Sequence, residues 1–254
     1  MSLHVEQRGS GPPLVLLHGF TQTGRLWGPF GDTLAKDHTL IALDLPGHAG
    51  SDDVRADLPA TADLVRDAVA RSSGSEPCDL LGYSLGARVA LHVATGTDLG
   101  IRRLVVIGAT GGIEDPADRI RRRQADDATA AALEASGDVE DFIARWVSGP
   151  MFAGLADAAQ TAERRRNSAA GLASSLRLAG TGTQEPLWDR IPKLAVPLLA
   201  LAGTDDTRFG AHAFRLARSA TQGVASLIPG GGHAVHLAQP YLVGRLVGHW
   251  LATA

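Results

Sequence analysis

The chain has 254 residues, of which 44% are hydrophobic, and a formal net charge of −3 at pH 7. This length is sufficient for one large α/β domain with an insertion. The nearly balanced charge gives no electrostatic reason to expect nucleic acid or an anionic membrane surface as a partner. We therefore predict a small-molecule ligand.

Neither the cysteine content nor the N-terminal segment indicates secretion. Cys78 is the single cysteine, so it has no partner for an internal disulfide, which fits a reducing compartment. Residues 1–10 contain Glu6 and Arg8 but no apolar stretch typical of a signal peptide, and no apolar run reaches the length of a membrane span. We predict a cytoplasmic protein without a membrane span, and the sequence does not predict its oligomeric state.

Short apolar runs alternate with longer amphipathic stretches, which predicts βα units around a mainly parallel sheet with helices on both faces. A leading edge strand is predicted at residues 3–7. The further predicted strands are residues 14–17, 39–43, 78–81 and 103–107 and, after a gap, 196–202 and 224–228. A last helix over residues 240–251 has apolar residues at helical spacing, so we expect it to pack on the sheet.

The strand pattern stops between residues 112 and 192. Sequence rich in Ala, Arg and Asp predicts helices there over residues 116–136, 138–147 and 153–179. A helical segment between two core strands is most simply placed over the carboxyl edge of the sheet, as a lid. We therefore predict a core of residues 1–111 and 193–254, and a helical cap of residues 112–192 inserted before the last two core strands.

A G-x-S-x-G motif, Gly82-Tyr83-Ser84-Leu85-Gly86, follows a predicted strand and opens a helical pattern. The bare motif also occurs by chance in glycine-rich chains, but these flanks are those of the nucleophile elbow of the α/β-hydrolase fold. In such an elbow the two glycines remove Cβ atoms that would collide with the neighbouring strand and helix. The sequence therefore predicts Ser84 as the nucleophile, pointing into a pocket.

A serine hydroxyl needs an imidazole to take its proton, and the imidazole needs a carboxylate to fix its tautomer. One predicted strand ends beside Asp205 and Asp206, and the next is followed by a glycine-rich loop that ends in His233. Chain order and location thus predict a triad of Ser84, His233 and Asp206. Spacing alone does not exclude Asp205 as the acid, and we favour Asp206 because G-x-x-D is the usual placement in this fold.

Backbone groups for an oxyanion hole are also predicted. The first buried strand runs into His18-Gly19-Phe20, a turn that in this fold supplies an N–H facing the nucleophile. We assign the hole to the main chains of Phe20 and Leu85, with the Phe20 side chain in the pocket wall and His18 bracing the turn.

Two further features of the sequence bear on the chemistry: a second histidine near His233, and the spacing of possible metal ligands. His236 is a rival base close to His233, but it lies where a helix should begin, so we interpret it as a supporting or capping residue. No trio of His, Asp and Glu has the spacing of metal ligands, so we predict no metal and no other cofactor.

The combination of residues 18–20, 44–48, 82–88 and 231–233 resembles the 2-succinyl-6-hydroxy-2,4-cyclohexadiene-1-carboxylate synthases of menaquinone biosynthesis, through nearly the whole chain. Arg88 is the most specific part of this resemblance. A residue four positions after the nucleophile lies one helical turn along on the same face, so its guanidinium reaches the pocket mouth. Most esterases and lipases have no use for a cation there.

In that family the substrate is a cyclohexene with three carboxylates, and planar guanidinium groups bind carboxylates bidentately. The resemblance implies a small-molecule polycarboxylate substrate bound by Arg88 and by one arginine from each of two clusters, for which we select Arg122 and Arg164 by register. Tyr83 and Trp146 are expected to shape the pocket, and a packing role fits both equally well.

The resemblance implies a lyase reaction. The triad would take a ring proton with Ser84 as the base, the oxyanion hole would hold the charge on the succinyl carbonyl, and pyruvate would depart. A carboxylesterase, thioesterase or carbon–carbon bond hydrolase acting on a small acidic substrate remains open, because the same triad serves both reactions. A non-catalytic ligand-binding member of the fold is disfavoured, since all three triad residues are present.

Overall fold

The computed structural model describes residues 2–74, 76–96, 99–152, 155 and 162–253. In this part of the chain, seven strands form one sheet in the order β1-β3-β2-β4-β5-β6-β7. The strands are β1 Val5–Gly9, β2 Pro13–Leu17, β3 Thr39–Leu43, β4 Cys78–Tyr83, β5 Ile101–Ile107, β6 Leu198–Gly203 and β7 Gly223–Ile228. β1 pairs antiparallel with β3, and the other five pairs are parallel. The predicted mainly parallel sheet is confirmed.

Helices lie on both faces of this sheet. Their bounds are α1 Gly28–Leu34, α2 Leu58–Ser73, α3 Leu85–Gly96, α4 Pro116–Ser136, α5 Val139–Val147, α6 Ala169–Ala179, α7 Thr207–Ser219, α8 Val235–Ala238 and α9 Pro240–Thr253. No helix in the described ranges combines the length and the apolar character needed to cross a lipid bilayer.

Side chains at alternate positions along the strands belong to two separate hydrophobic clusters. Val15 and Leu17 of β2 belong to a cluster that includes residues of α2, α3 and α7, whereas Leu14 and Leu16 belong to a second cluster with residues of α1 and α9. Successive strand side chains point to opposite faces, so fully apolar strands indicate a sheet covered on both sides. The central strands therefore hold the carboxyl edge of the sheet in a fixed position.

The helices α4, α5 and α6 lie between β5 and β6 in the chain. Helix α4 matches the predicted range 116–136 because both ends have strong signals: Asp115 accepts a hydrogen bond from the Asp118 N–H, and Gly137 ends the helix with a φ of 65°. Helix α5 begins one residue later than predicted, since Asp138 is its N-cap.

The prediction of one helix over residues 153–179 was wrong. Residues 165–168 leave the helical conformation, and the Ser168 hydroxyl accepts the Gly171 N–H to start α6. Residues 153, 154 and 156–161 lie outside the described part of the chain. That the whole segment 112–192 acts as a lid stays a prediction.

Candidate active site

Ser84 lies in a tight turn between β4 and α3. Its φ is 51°, in the left-handed region that costs free energy for any residue with a Cβ. The Ser84 N–H donates to the Ile107 carbonyl at 2.9 Å. A Cβ at Gly86 would lie 1.9 Å from the Leu17 carbonyl oxygen, so glycine is required there by packing. The surrounding backbone thus holds the serine in a conformation that it would not adopt alone.

Ser84, His233 and Asp206 form a hydrogen-bonded chain. The distance from His233 Nδ1 to Asp206 Oδ2 is 2.8 Å, and that from His233 Nε2 to Ser84 Oγ is 3.0 Å. A carboxylate only accepts, so Nδ1 carries the proton, and Nε2 is free to accept the serine hydroxyl. The exposed Asp205 instead receives a hydrogen bond from the Thr204 hydroxyl. The geometry therefore brings Asp206, and not Asp205, to the imidazole.

The position and charge of Asp206 follow from its place at the start of α7. Its Oδ1 accepts the Phe209 N–H, and its Oδ2 accepts from His233. Burial raises the pKa of Asp206, but these hydrogen bonds outweigh it, and the net shift is below the ordinary value. An ionised Asp206 can therefore orient His233 and stabilise its protonated form at neutral pH.

The backbone N–H groups of Phe20 and Leu85, predicted for the oxyanion hole, have no acceptor among the described residues. The turn that contains Phe20 is held by His18, whose Nε2 accepts the Leu45 N–H at 3.0 Å and whose Nδ1 donates to the Gly19 carbonyl at 2.8 Å. Burial lowers the pKa of His18 to about 4, which keeps the ring neutral and able to accept.

Thr21 follows Phe20 in this turn and is held by hydrogen bonds from residues of the helical insertion. Its φ is 66°, and its carbonyl accepts from Asn167 Nδ2 at 2.8 Å. Its hydroxyl accepts from Arg164, whose guanidinium lies over the Phe152 ring, 5.5 Å from the centroid. Arg164 is 1% exposed and is not part of the pocket lining. The structure thus places Arg164 where it supports the turn, and its expected role in substrate binding stays a prediction.

Tyr83 also lies behind the pocket wall instead of on it. Its ring is 5.4 Å from the His233 ring and 4.4 Å from the His236 ring, and a Cβ on Gly19 would be 2.6 Å from its Cε1. The side chain is buried. Tyr83 thus packs against the imidazole of His233, against the ring of His236 and against the turn before Phe20.

A pocket opens at Ser84, between the sheet edge and the insertion. Three predicted binding residues are on its lining: Arg88, Arg122 and Trp146. The ring of Trp146 packs edge-on against the ring of Phe20, with 5.0 Å between the ring centroids. The Nε1 of Trp146 is buried without a partner in the described part of the chain. An unpaired buried donor costs free energy unless a ligand or water accepts from it.

Arg88, Arg122 and Asp126 form a charged cluster on this lining. Arg122 Nε donates to Asp126 Oδ1 at 2.8 Å, whereas Nη1 of the buried Arg88 has no partner among the described residues. Burial, and then the neighbouring charge of Arg122, lower the pKa of Arg88 to about 10. Arg88 therefore remains charged at neutral pH, and a cluster of two arginines and one carboxylate has a formal net positive charge and an unpaired donor. It is suited to bind an anionic group.

Asp126 and Arg208 also line the pocket, and no sequence motif predicts a role for either. Asp126 lies four positions after Arg122, a spacing typical of helical ion pairs, so the sequence itself indicates this pair. Arg208 follows Asp206 by two positions in the first turn of α7, where a cation is unusual. No cluster of three potential metal-ligating His, Cys, Asp or Glu side chains occurs in the described ranges.

Comparison with known proteins agrees with this geometry. The profile of the alpha/beta hydrolase family matches residues 14–244. The 2-succinyl-6-hydroxy-2,4-cyclohexadiene-1-carboxylate synthase of Klebsiella pneumoniae subsp. pneumoniae is 34% identical over 246 residues, which cover 95% of this chain and 94% of that protein. The protein of the same name from Serratia proteamaculans is 32% identical over 241 residues, 90% of this chain and 89% of that protein.

A solved structure of MenH from S. aureus superposes with a TM-score of 0.90 at 28% identity and covers 98% of both chains. These similarities confirm the predicted α/β-hydrolase fold and the resemblance that the motifs indicated. The chain belongs to the alpha/beta hydrolase family and, within it, to the 2-succinyl-6-hydroxy-2,4-cyclohexadiene-1-carboxylate synthases.

Proposed function

We propose that this protein is a lyase that eliminates pyruvate from 2-succinyl-5-enolpyruvyl-6-hydroxy-3-cyclohexene-1-carboxylate and forms 2-succinyl-6-hydroxy-2,4-cyclohexadiene-1-carboxylate. The observation that carries the proposal is the presence of a Ser-His-Asp chain and an arginine cluster on one pocket. A triad alone supports hydrolysis and elimination equally. Guanidinium groups beside it favour a substrate with several carboxylates, and relatives bear the name of this synthase.

The proton to be removed is on ring carbon C2, next to the succinyl ketone, because loss of that proton gives an enolate. In our proposal Ser84 Oγ takes this proton while its own hydroxyl proton passes to His233 Nε2. Asp206 holds the opposite nitrogen and stabilises the imidazolium that forms. The serine therefore acts as a base, without a covalent intermediate.

The electron pair from the C2–H bond first increases the negative charge on the succinyl ketone oxygen. The N–H groups of Phe20 and Leu85, which have no acceptor among the described residues, are assigned to this oxygen. The pair then forms the C2–C3 double bond, the ring double bond moves to C4–C5, and the C5–O bond breaks. The enolpyruvate released takes up a proton and becomes pyruvate.

The test is to follow pyruvate release from the enolpyruvyl substrate and hydrolysis of a short p-nitrophenyl ester with the same enzyme preparation. We expect pyruvate release far above that of a Ser84→Ala control, which also reports spontaneous elimination. Ester hydrolysis with no enzyme-dependent pyruvate would contradict the lyase proposal and favour a serine hydrolase.

A further inference from the structure

Arg208 is a cation on the pocket lining that lies apart from the Arg88–Arg122–Asp126 cluster. It is the second residue of α7, and its guanidinium lies 5.7 Å from the centroid of the neighbouring Phe209 ring. The Phe209 ring is in turn 4.4 Å from the imidazole of His233. Arg208 therefore lies on the His233 side of the pocket mouth, whereas the cluster is on α3 and α4.

No salt bridge or hydrogen bond among the described residues holds a cation at this position. The N-terminus of a helix is the positive end of its dipole, so a cation there is unfavourable. The first turn of α7 has no acidic residue, and within the described part of the chain Arg208 forms no salt bridge or hydrogen bond, although its charge helps to lower the pKa of the N-cap residue Asp206. Arg215 on the same helix differs, since it binds Glu114 with two hydrogen bonds and stacks on Trp188 at 3.7 Å.

The other lining arginines do not provide a cation for every carboxylate of the substrate. Arg122 forms an ion pair with Asp126, and Arg164, the expected third binding residue, contacts Thr21 and is not among the described residues of the lining. The cations on the described lining are Arg88, Arg122 and Arg208. A tricarboxylate that places one carboxylate on the cluster still presents carboxylates elsewhere around its ring.

We infer that Arg208 binds a substrate carboxylate on the His233 side of the pocket, one that Arg88 and Arg122 do not hold. This inference rests on the proposed function, because the number of carboxylates comes from that substrate. Arg208 lies at the exposed mouth, where solvent weakens its ion pairs. We therefore expect it to contribute to substrate binding more than to the chemical step.

The variants are Arg208→Gln and Arg208→Lys, with Arg218→Gln, an exposed residue at the end of the same helix, as the matched control. Each is assayed for kcat and KM of pyruvate release, for hydrolysis of a neutral p-nitrophenyl ester and for Tm. For Arg208→Gln we expect KM to rise about five- to fiftyfold with kcat nearly unchanged, because charge-assisted hydrogen bonds are lost. The lysine variant should recover part of the affinity.

Ester hydrolysis and Tm should not decrease in Arg208→Gln, and Arg218→Gln should change nothing. An unchanged KM, or a large decrease in Tm in both Arg208 variants, would overturn the inference. Equal losses on both substrates, with the acidic limb of the pH profile moved upward, would also overturn it, since Arg208 would then act through Asp206. Absence of pyruvate release by the wild-type enzyme would refute the proposed function itself. When the wild-type enzyme does release pyruvate, the contrary outcomes named above refute only the role of Arg208.

Discussion

On the core side of the pocket, backbone geometry fixes the reactive groups, whereas on the insertion side, ion pairs between side chains fix the binding groups. Ser84 is held in a left-handed conformation and Gly86 is in contact with β2. Arg122, in contrast, is held by one ion pair with Asp126. We expect changes to the triad and its supports on the core side to affect every substrate. Changes to the arginine cluster, which combines Arg88 of the core with Arg122 of the insertion, should affect acidic substrates selectively.

The largest effect is expected on the core side, for Ser84→Ala. Removal of the hydroxyl removes the proposed base, so pyruvate release and ester hydrolysis should both fall by about ten-thousandfold or more. The fold should be unaffected because alanine also has a Cβ at this strained position. Activity and Tm are measured on one preparation. Near-normal turnover by a well-folded variant would rule out the proposed site.

The next largest effect distinguishes the two adjacent acids. Asp206→Asn should lower activity about a thousandfold, because an amide no longer fixes the His233 tautomer or stabilises the imidazolium. Asp205→Asn is the matched control, since Asp205 is exposed and does not contact the imidazole. We expect it to remain nearly fully active. The opposite ranking would reassign the acid.

In the arginine cluster, Arg88→Ala should separate the two kinds of substrate. Loss of a bidentate carboxylate partner in a shielded pocket should lower kcat/KM for the tricarboxylate about ten- to several-hundredfold. A neutral ester should be hydrolysed almost as before. Arg88→Lys should recover part of the loss, since an ammonium does not reproduce the planar guanidinium.

Tm is the control for Arg88, because the side chain is buried and removing it also removes packing. Equal losses of kcat/KM on the neutral ester and on the tricarboxylate, together with a lower Tm, would mean that Arg88 braces the fold. That result would remove the main residue-level distinction between a lyase and an esterase.

The smallest effect concerns stability, and it belongs to the core side. Burial lowers the pKa of His18 to about 4 and that of His48 to about 3, while an unfolded histidine titrates near about 6.5. Between these values the unfolded chain binds more protons, so the free energy of unfolding should decrease as pH falls below about 6.5. Urea unfolding between pH 4.5 and 7.5 measures this slope.

His48→Gln tests whether that slope comes from the buried rings. Glutamine has no titrating group in this range, so the variant should show a shallower pH dependence by nearly one proton. Its overall stability is expected to fall, because His48 accepts the Thr21 N–H and contacts the Pro46 carbonyl. Identical slopes in both proteins would show that other groups cause the dependence.

The sequence predicted best what depends on short segments of chain. The range 39–43 coincides with β3, and the elbow, the G-x-x-D segment and the histidine loop each follow a strand that the apolar pattern indicates. Parallel strands bring these carboxyl ends to one edge of the sheet. The proximity of the Ser84, His233 and Asp206 side chains could therefore be predicted from the sequence.

The binding residues were harder to predict, because they depend on contacts between distant segments. Arg164 meets Thr21 across 143 positions of sequence, and no local pattern distinguishes that contact from one with a ligand. A binding role for Arg208 is hard to predict for a different reason. Its unfavourable place at a helix N-terminus is a local signal, but it becomes informative only when the pocket beside it is known.

The hydrogen bonds between the insertion and Thr21 have a consequence for recombination between relatives. Asn167 also accepts the Ala49 N–H at 3.0 Å, and Glu163 accepts the Thr23 hydroxyl at 2.9 Å. Residues of the insertion are thus joined to the loop that follows β2 and to the loop that follows β3. A chimera that exchanges this segment must conserve these partners, or the residue next to Phe20 loses its support and the graft changes reactivity together with substrate preference.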